Sequence, residues 1–147
     1  MNRLHLHIAV DDINQSIGFY TALFGTEPTV TKDDYAKWML DDPAVNFAIS
    51  DRATGKTGVD HVGIQTDSRD GLDAITARLH AAEQAMLQQE ATTCCYAESD
   101  KTWVEDPSGV RWETFYTHGE AAVYGADATG ALEYKPRPPA RAGSSCC

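Results

Sequence analysis

No apolar run in this chain approaches the roughly 20 residues that cross a bilayer as a helix. Its N-terminus, MNRLHLHIAV, lacks the apolar stretch and small-residue cleavage site of a secretory signal. Positive charge is scarce too: 12 Lys and Arg stand against 22 Asp and Glu, a net charge of −10 over 147 residues. An acidic surface repels phosphate backbones and anionic lipids, so neither nucleic acid nor a membrane is the expected partner. CxxC spacing of the zinc-binding kind is missing, and so is a disulfide framework. The four cysteines form two adjacent pairs, Cys94–Cys95 and Cys146–Cys147. Neighbours rarely bridge each other, because so small a ring strains the peptide between them. These absences point to a cytoplasmic chain with reduced thiols, acting on a small molecule, a metal or another protein.

What is present is a pattern that occurs twice. LHLHIAV (4–10) alternates as a strand, and residues 11–25 carry Ile13, Ile17, Tyr20, Leu23 and Phe24 at helical spacing, closed by Gly25. Strands follow at 35–40 and 45–50. The order then restarts with a strand at 59–66 and a helix at 72–84, with Leu72, Ile75, Leu79 and Ala82 on one face. A hairpin around DPSG closes it at 101–116. His5 aligns with His61, Leu6 with Val62, Ile8 with Ile64 and Pro43 with Pro107, the marks of an internal duplication. The offset grows from 56 at the histidines to 64 at the prolines, so the second half holds about eight extra residues between helix and hairpin. TTCCYA (92–97) lies there, in an expected loop over about 86–101. Module one spans about 1–54 and module two about 57–117, together one domain over 1–117, with 118–147 expected as a mobile tail.

His5 and His61 open equivalent strands and Glu113 lies in the last strand of module two; its counterpart in module one falls near Ala48 or Ile49, neither able to bind a metal. If the modules share a concave surface, two histidines and a carboxylate meet there. That set suits non-haem Fe(II) and leaves coordination positions open for dioxygen and substrate. The competing reading makes them ordinary strand residues. His7 shares a face with His5 and is either an alternative ligand or a support for one. His80 and His118 read as surface residues, and Trp38, Trp103 and Trp112 as core or pocket wall. Cys94 and Cys95 are either small buried hydrophobes or a thiophilic site. Methylarsenite keeps one carbon substituent and two exchangeable positions, which two thiolates fill.

The opening SIGFYTALFG (16–25), the repeat and the His/His/Glu set resemble the vicinal oxygen chelate superfamily of glyoxalase I and extradiol dioxygenases. LFGTEP (23–28), ATTCCYA (91–97), DKTWVEDPSGVRWETF (100–115) and the cysteine-ended tail look like its carbon–arsenic lyase family, whose members are often labelled cadmium-induced proteins. The resemblance implies an α+β fold of two tandem βαβββ modules and an Fe(II)-dependent dioxygenase. Such an enzyme cleaves the carbon–arsenic bond of trivalent organoarsenicals to arsenite. By position, His5, His61 and Glu113 would hold iron, and Cys94 and Cys95 arsenic. Cys146 and Cys147 would either capture arsenic or be an unconstrained end. Rival readings are a glyoxalase-type isomerase, which needs a fourth ligand from module one, and a thiol module sequestering cadmium or arsenite. Since the chain holds both modules, either a monomer or a homodimer is expected.

Overall fold

In the first strand, β1 (Arg3–Ala9), His5, His7 and Ala9 are buried on one face while Leu6 and Ile8 turn to the other. The computed structural model describes residues 1–51, 57–123, 125 and 132–133. After β1 come α1 (Ile13–Phe24), β2 (Val30–Lys32), β3 (Tyr35–Asp41) and β4 (Ala44–Ser50). The second run is β5 (Gly58–Gln65), α2 (Arg69–Ala81), β6 (Met86–Cys94), β7 (Ala97–Glu105) and β8 (Arg111–Glu120). The eight strands form one sheet in the order β2-β3-β4-β1-β5-β8-β7-β6. The order is a mirror about the β1–β5 junction: β1 runs parallel to β4, β5 runs parallel to β8, and β1 meets β5 antiparallel. Two equivalent modules joined edge to edge produce this symmetry, and the fold is that of two βαβββ units.

Local chemistry places the helices. The Asp12 side chain accepts the Gln15 amide at the start of α1, and Gly25, at φ 67°, ends it by donating to the Thr21 carbonyl. Ser68 caps α2 in the same way through the Gly71 amide. Under α1 lies an apolar cluster of Ile13, Ala36, Trp38, Phe47 and Ile49, with Leu6, Ile8, Ile17, Tyr20 and Phe24 packed against it. The expected helix stripe holds except at Leu23, which is 62% exposed. Ile13, Ile17, Tyr20 and Phe24 already complete one face, and Leu23 lies one step of the helix off it. Trp38 is fully buried in this core. The layer under α2 is more polar; there Thr76 and Thr102 share a hydrogen bond of 2.8 Å beside buried Leu72.

Three expectations change. The three-residue strand β2 pairs with β3, and its brevity hid it from periodicity. Residues 86–101, expected as a loop, form the β6 strand and most of β7, joined by a turn at Cys95 and Tyr96. Polar side chains here hang on a strand whose register breaks between Gln89 and Thr92, so alternation was masked. The extra residues of module two thus lengthen a hairpin: β6 has nine residues where β2 has three. Finally, β8 runs to Glu120, so His118 sits on a strand and meets Asp100 at 2.9 Å instead of belonging to a tail. Cys146 and Cys147 lie outside the described residues, as does most of the expected tail.

Candidate functional site

The helices cover one face of the sheet; the other is lined at its centre by His5 and His7 from β1, His61 from β5, Glu113 from β8 and Lys101 from β7. All five are buried. The ladders explain the asymmetry between modules. His7 pairs with Ala48 across β1–β4, and Gly63 pairs with Glu113 across β5–β8. With His5 equivalent to His61, His7 is equivalent to Gly63, and the counterpart of Glu113 is Ala48. Module one therefore supplies no carboxylate there.

Hydrogen bonds fix the imidazole tautomers. His5 Nδ1 donates to the Asn46 carbonyl at 3.0 Å, and His61 Nδ1 donates to the Asp60 carboxylate at 2.6 Å. Each ring then turns its Nε2 lone pair inward, and the two Nε2 atoms stand 3.1 Å apart. Glu113 Oε2 lies 3.6 Å from His5 Nε2 and 3.4 Å from His61 Nε2. Two lone pairs and a carboxylate oxygen facing one point repel each other unless a cation sits among them. In the bare protein a proton serves. Burial opposes charge on His61, but hydrogen bonds to Asp60 and Glu113 outweigh it and raise its pKa to about 9. Burial lowers His5 to about 4 and His7 to about 3. The donor set fits a divalent metal, with Asp60 and the Asn46 carbonyl orienting the imidazoles.

His7 is a second candidate for the third ligand, since ring nitrogens of His5, His7 and His61 lie within 4.8 Å of one another. Its Nε2 is 2.9 Å from the Ser50 hydroxyl, and its Nδ1 finds no hydrogen-bond partner among the described residues.

The cysteines sit at the hairpin tip. Alternation would send neighbouring strand side chains to opposite faces. Here Cys95 and Tyr96 both have positive φ, 55° and 60°, a left-handed turn that glycine and asparagine favour and that costs non-glycine residues energy. The turn brings the two Sγ atoms to 3.2 Å on one side, a spacing suited to two donors on a single soft centre. Cys94 is buried and Cys95 half-buried. The Cys94 hydrogen bond and burial push the Cys95 pKa well above its usual value. The tip reaches across the curled sheet onto module one. Cys95 and Tyr96 pack on Tyr35 and Ala48, and the Tyr96 hydroxyl donates to Asp34 at 2.6 Å.

Lys101 links the two donor sets, and sequence reading missed it. Its ammonium pairs with Glu113 Oε1. Burial works against that charge, but Glu113, Cys94 and Cys95 outweigh it and raise its pKa. The same contact, against burial, helps hold Glu113 well below the usual carboxylate range. The alternation of KTWVE was legible, but only the fold shows that position 101 faces position 113. Trp103 lies with its ring 5.2 Å from that of His61, a pocket wall as expected. Trp112 is half-buried.

The family model "Glyoxalase/Bleomycin resistance protein/Dioxygenase superfamily" matches residues 3–114. The chain is 43% identical over 122 residues to a protein of Bacillus sp. (strain MD1) named trivalent organoarsenical cleaving enzyme, covering 80% of this chain and 74% of that one. It is 35% identical over 127 residues to the cadmium-induced protein CadI of Mycobacterium bovis, covering 86% and 83% respectively. Among solved structures, an extradiol ring-cleaving dioxygenase from B. fuscum superposes with a TM-score of 0.60 at 15% identity, covering 81% of this chain and 33% of that one.

Proposed function

Because the chain belongs to the glyoxalase/bleomycin resistance protein/dioxygenase superfamily, within the family of trivalent organoarsenical cleaving enzymes, we propose that it is a non-haem Fe(II)-dependent dioxygenase. Its reaction is cleavage of the carbon–arsenic bond of trivalent organoarsenicals, methylarsenite or aromatic, with release of arsenite. The observation that carries this reading is the nearness of two donor sets. A buried His5–His61–Glu113 cluster suited to a hard or borderline metal lies within electrostatic reach of a paired-thiol site suited to arsenic.

In this reading His5, His61 and Glu113 hold the metal. The chemistry such a centre supplies is activation of dioxygen at positions that two imidazoles and one carboxylate leave open. Cys94 and Cys95 take the two exchangeable positions of the arsenical and aim its carbon substituent at the cluster. Lys101 offsets the negative charge that carboxylate and thiolates would otherwise accumulate under the hairpin. Tyr35, Trp103 and Phe115, all buried, keep water out. One chain carries every group named, so a monomer suffices. A glyoxalase-type isomerase with a fourth ligand from module one is disfavoured by Ala48.

The test is reconstitution with Fe(II) without air, then addition of methylarsenite and air, with released arsenite quantified. Release that needs iron, dioxygen and both cysteines is expected, and a Cys94→Ser/Cys95→Ser variant should lose it while still binding iron. Arsenic bound tightly but never released would favour the sequestration reading, which the paired thiols alone would satisfy.

A further inference from the structure

A cavity of about 510 Å³ opens beside the hairpin tip, between the β2–β3 edge and the end of β8, and Cys95 lines it. Methylarsenite has only a handful of non-hydrogen atoms and leaves most of that volume empty; pockets of this size hold drug-sized molecules. The lining is wrong for an arene. Apart from Val30, Tyr96 and small residues it is polar, with hydroxyls from Thr29, Thr31 and Thr117. Among the described residues of the lining, two lysines, Lys32 and Lys37, stand against one carboxylate, Glu120. On a protein of net charge −10, a polar cavity with cations in excess is a local reversal of sign. Lys32 is placed over the Tyr96 ring at 5.3 Å, beside the turn that carries the thiols.

Trivalent arsenicals bind thiols, so in a reducing compartment they travel as thiolate conjugates. We propose that this cavity seats the carrier half of such a conjugate, a small thiol bearing carboxylates, with Lys32 and Lys37 pairing with those carboxylates. The substrate delivered to the site is then an arsenical bis-thiolate of an anionic thiol, an inference that rests on Cys94 and Cys95 being the arsenic site. Transfer is thiol exchange without change of oxidation state. One cysteine sulfur forms a bond to arsenic as the bond from arsenic to the carrier sulfur breaks. The carrier leaves as a thiolate and takes up the proton that the cysteine gives up. A second exchange with the adjacent cysteine releases the second carrier.

The test compares methylarsenite preloaded on mercaptosuccinate, which is anionic, with methylarsenite preloaded on 2-mercaptoethanol, which is neutral. The full chain is mixed with each, quenched in acid at short times, and the arsenic adduct read by intact mass, without iron. Transfer from mercaptosuccinate should be about fivefold more efficient, as two partly exposed ion pairs allow, and the advantage should shrink at high salt. Lys32→Gln/Lys37→Gln, confirmed as folded by circular dichroism, should slow the mercaptosuccinate conjugate to the mercaptoethanol level. Equal efficiencies in the unaltered chain, or an advantage that survives the double substitution, would overturn the carrier site and leave the proposed cleavage standing. No adduct from either conjugate would overturn both, because the thiols would then not bind arsenic.

Discussion

His61 holds a proton to about pH 9 in the metal-free chain, while His5 and His7 stay neutral down to about 4 and 3. Against an unfolded histidine value near 6.5 the consequences have opposite sign. For His61 the folded state binds the extra proton, so its stabilisation is complete below about pH 6.5 and is lost as pH rises to about 9. For His5 and His7 the unfolded state binds the extra proton, so stability is lost as pH falls below about 6.5. Metal-free protein should therefore be most stable near pH 6.5, with an alkaline decline set by His61; urea midpoints measured from pH 5 to 10 check this. A metal held by His61 must displace its proton, so in the window between the His5 value of about 4 and the His61 value of about 9 uptake should release close to one proton, measurable by calorimetry in buffers of different ionisation enthalpy. Asp60→Asn removes a hydrogen bond that raises His61, and should move the end of that window downward.

The hairpin β6–β7 is held at its tip by its neighbours. The Ala121 amide donates to the Tyr96 carbonyl at 2.8 Å, and Gly125 bridges to Cys94. Gly125 has φ +82°, and a Cβ there would lie 1.8 Å from the Thr93 carbonyl oxygen. Gly125→Ala should cost upward of 1 kcal/mol through backbone strain alone, and the clash should part the bridge. Expected outcomes are a lower Tm, faster hydrogen exchange of the Cys94 segment and weaker arsenical binding. Gly119→Ala is the control: an added Cβ there meets nothing within 4 Å. Midway along the hairpin, at its register break, buried Asp100 accepts the Ala91 amide at 2.8 Å and pairs with Arg69 and His118. Asp100→Ala leaves that amide unpartnered at the register break and should cost about 1–3 kcal/mol, read as a lower urea midpoint.

At the scale of the whole molecule, the cluster ties strands of both modules together: His5 and His7 come from β1, His61 from β5 and Glu113 from β8. A metal bound there stabilises the native state by mass action. At a thousandfold excess over Kd the gain is about 4 kcal/mol, a rise in Tm on the order of 10 °C. Fe(II) added without air should produce that rise, a chelator should reverse it, and Glu113→Ala should abolish it while sparing arsenical binding. A Tm that ignores metal in the unaltered chain would count against the cluster as a metal centre.

Alternation in LHLHIAV, the apolar spacing of α1 and the return of the same order fifty-six residues later sufficed to establish two repeated modules. Those signals are local, set by strand and helix periods, and survive without any knowledge of packing. The histidine pair was legible for the same reason, because repeat equivalence is written in sequence. The hairpin at 86–105 was not, because its register break and polar surface erase alternation. Lys101 was not, because a lysine in a strand defaults to solvent until β8 sets Glu113 beside it. Nor could adjacency alone say that the Cys94 and Cys95 sulfurs come together; consecutive strand residues diverge unless a left-handed turn reverses the second. Sequence periodicity determined the elements and the repeat. The curl of the sheet decided which side chains meet, because contacts across a concave face join residues that no local period connects.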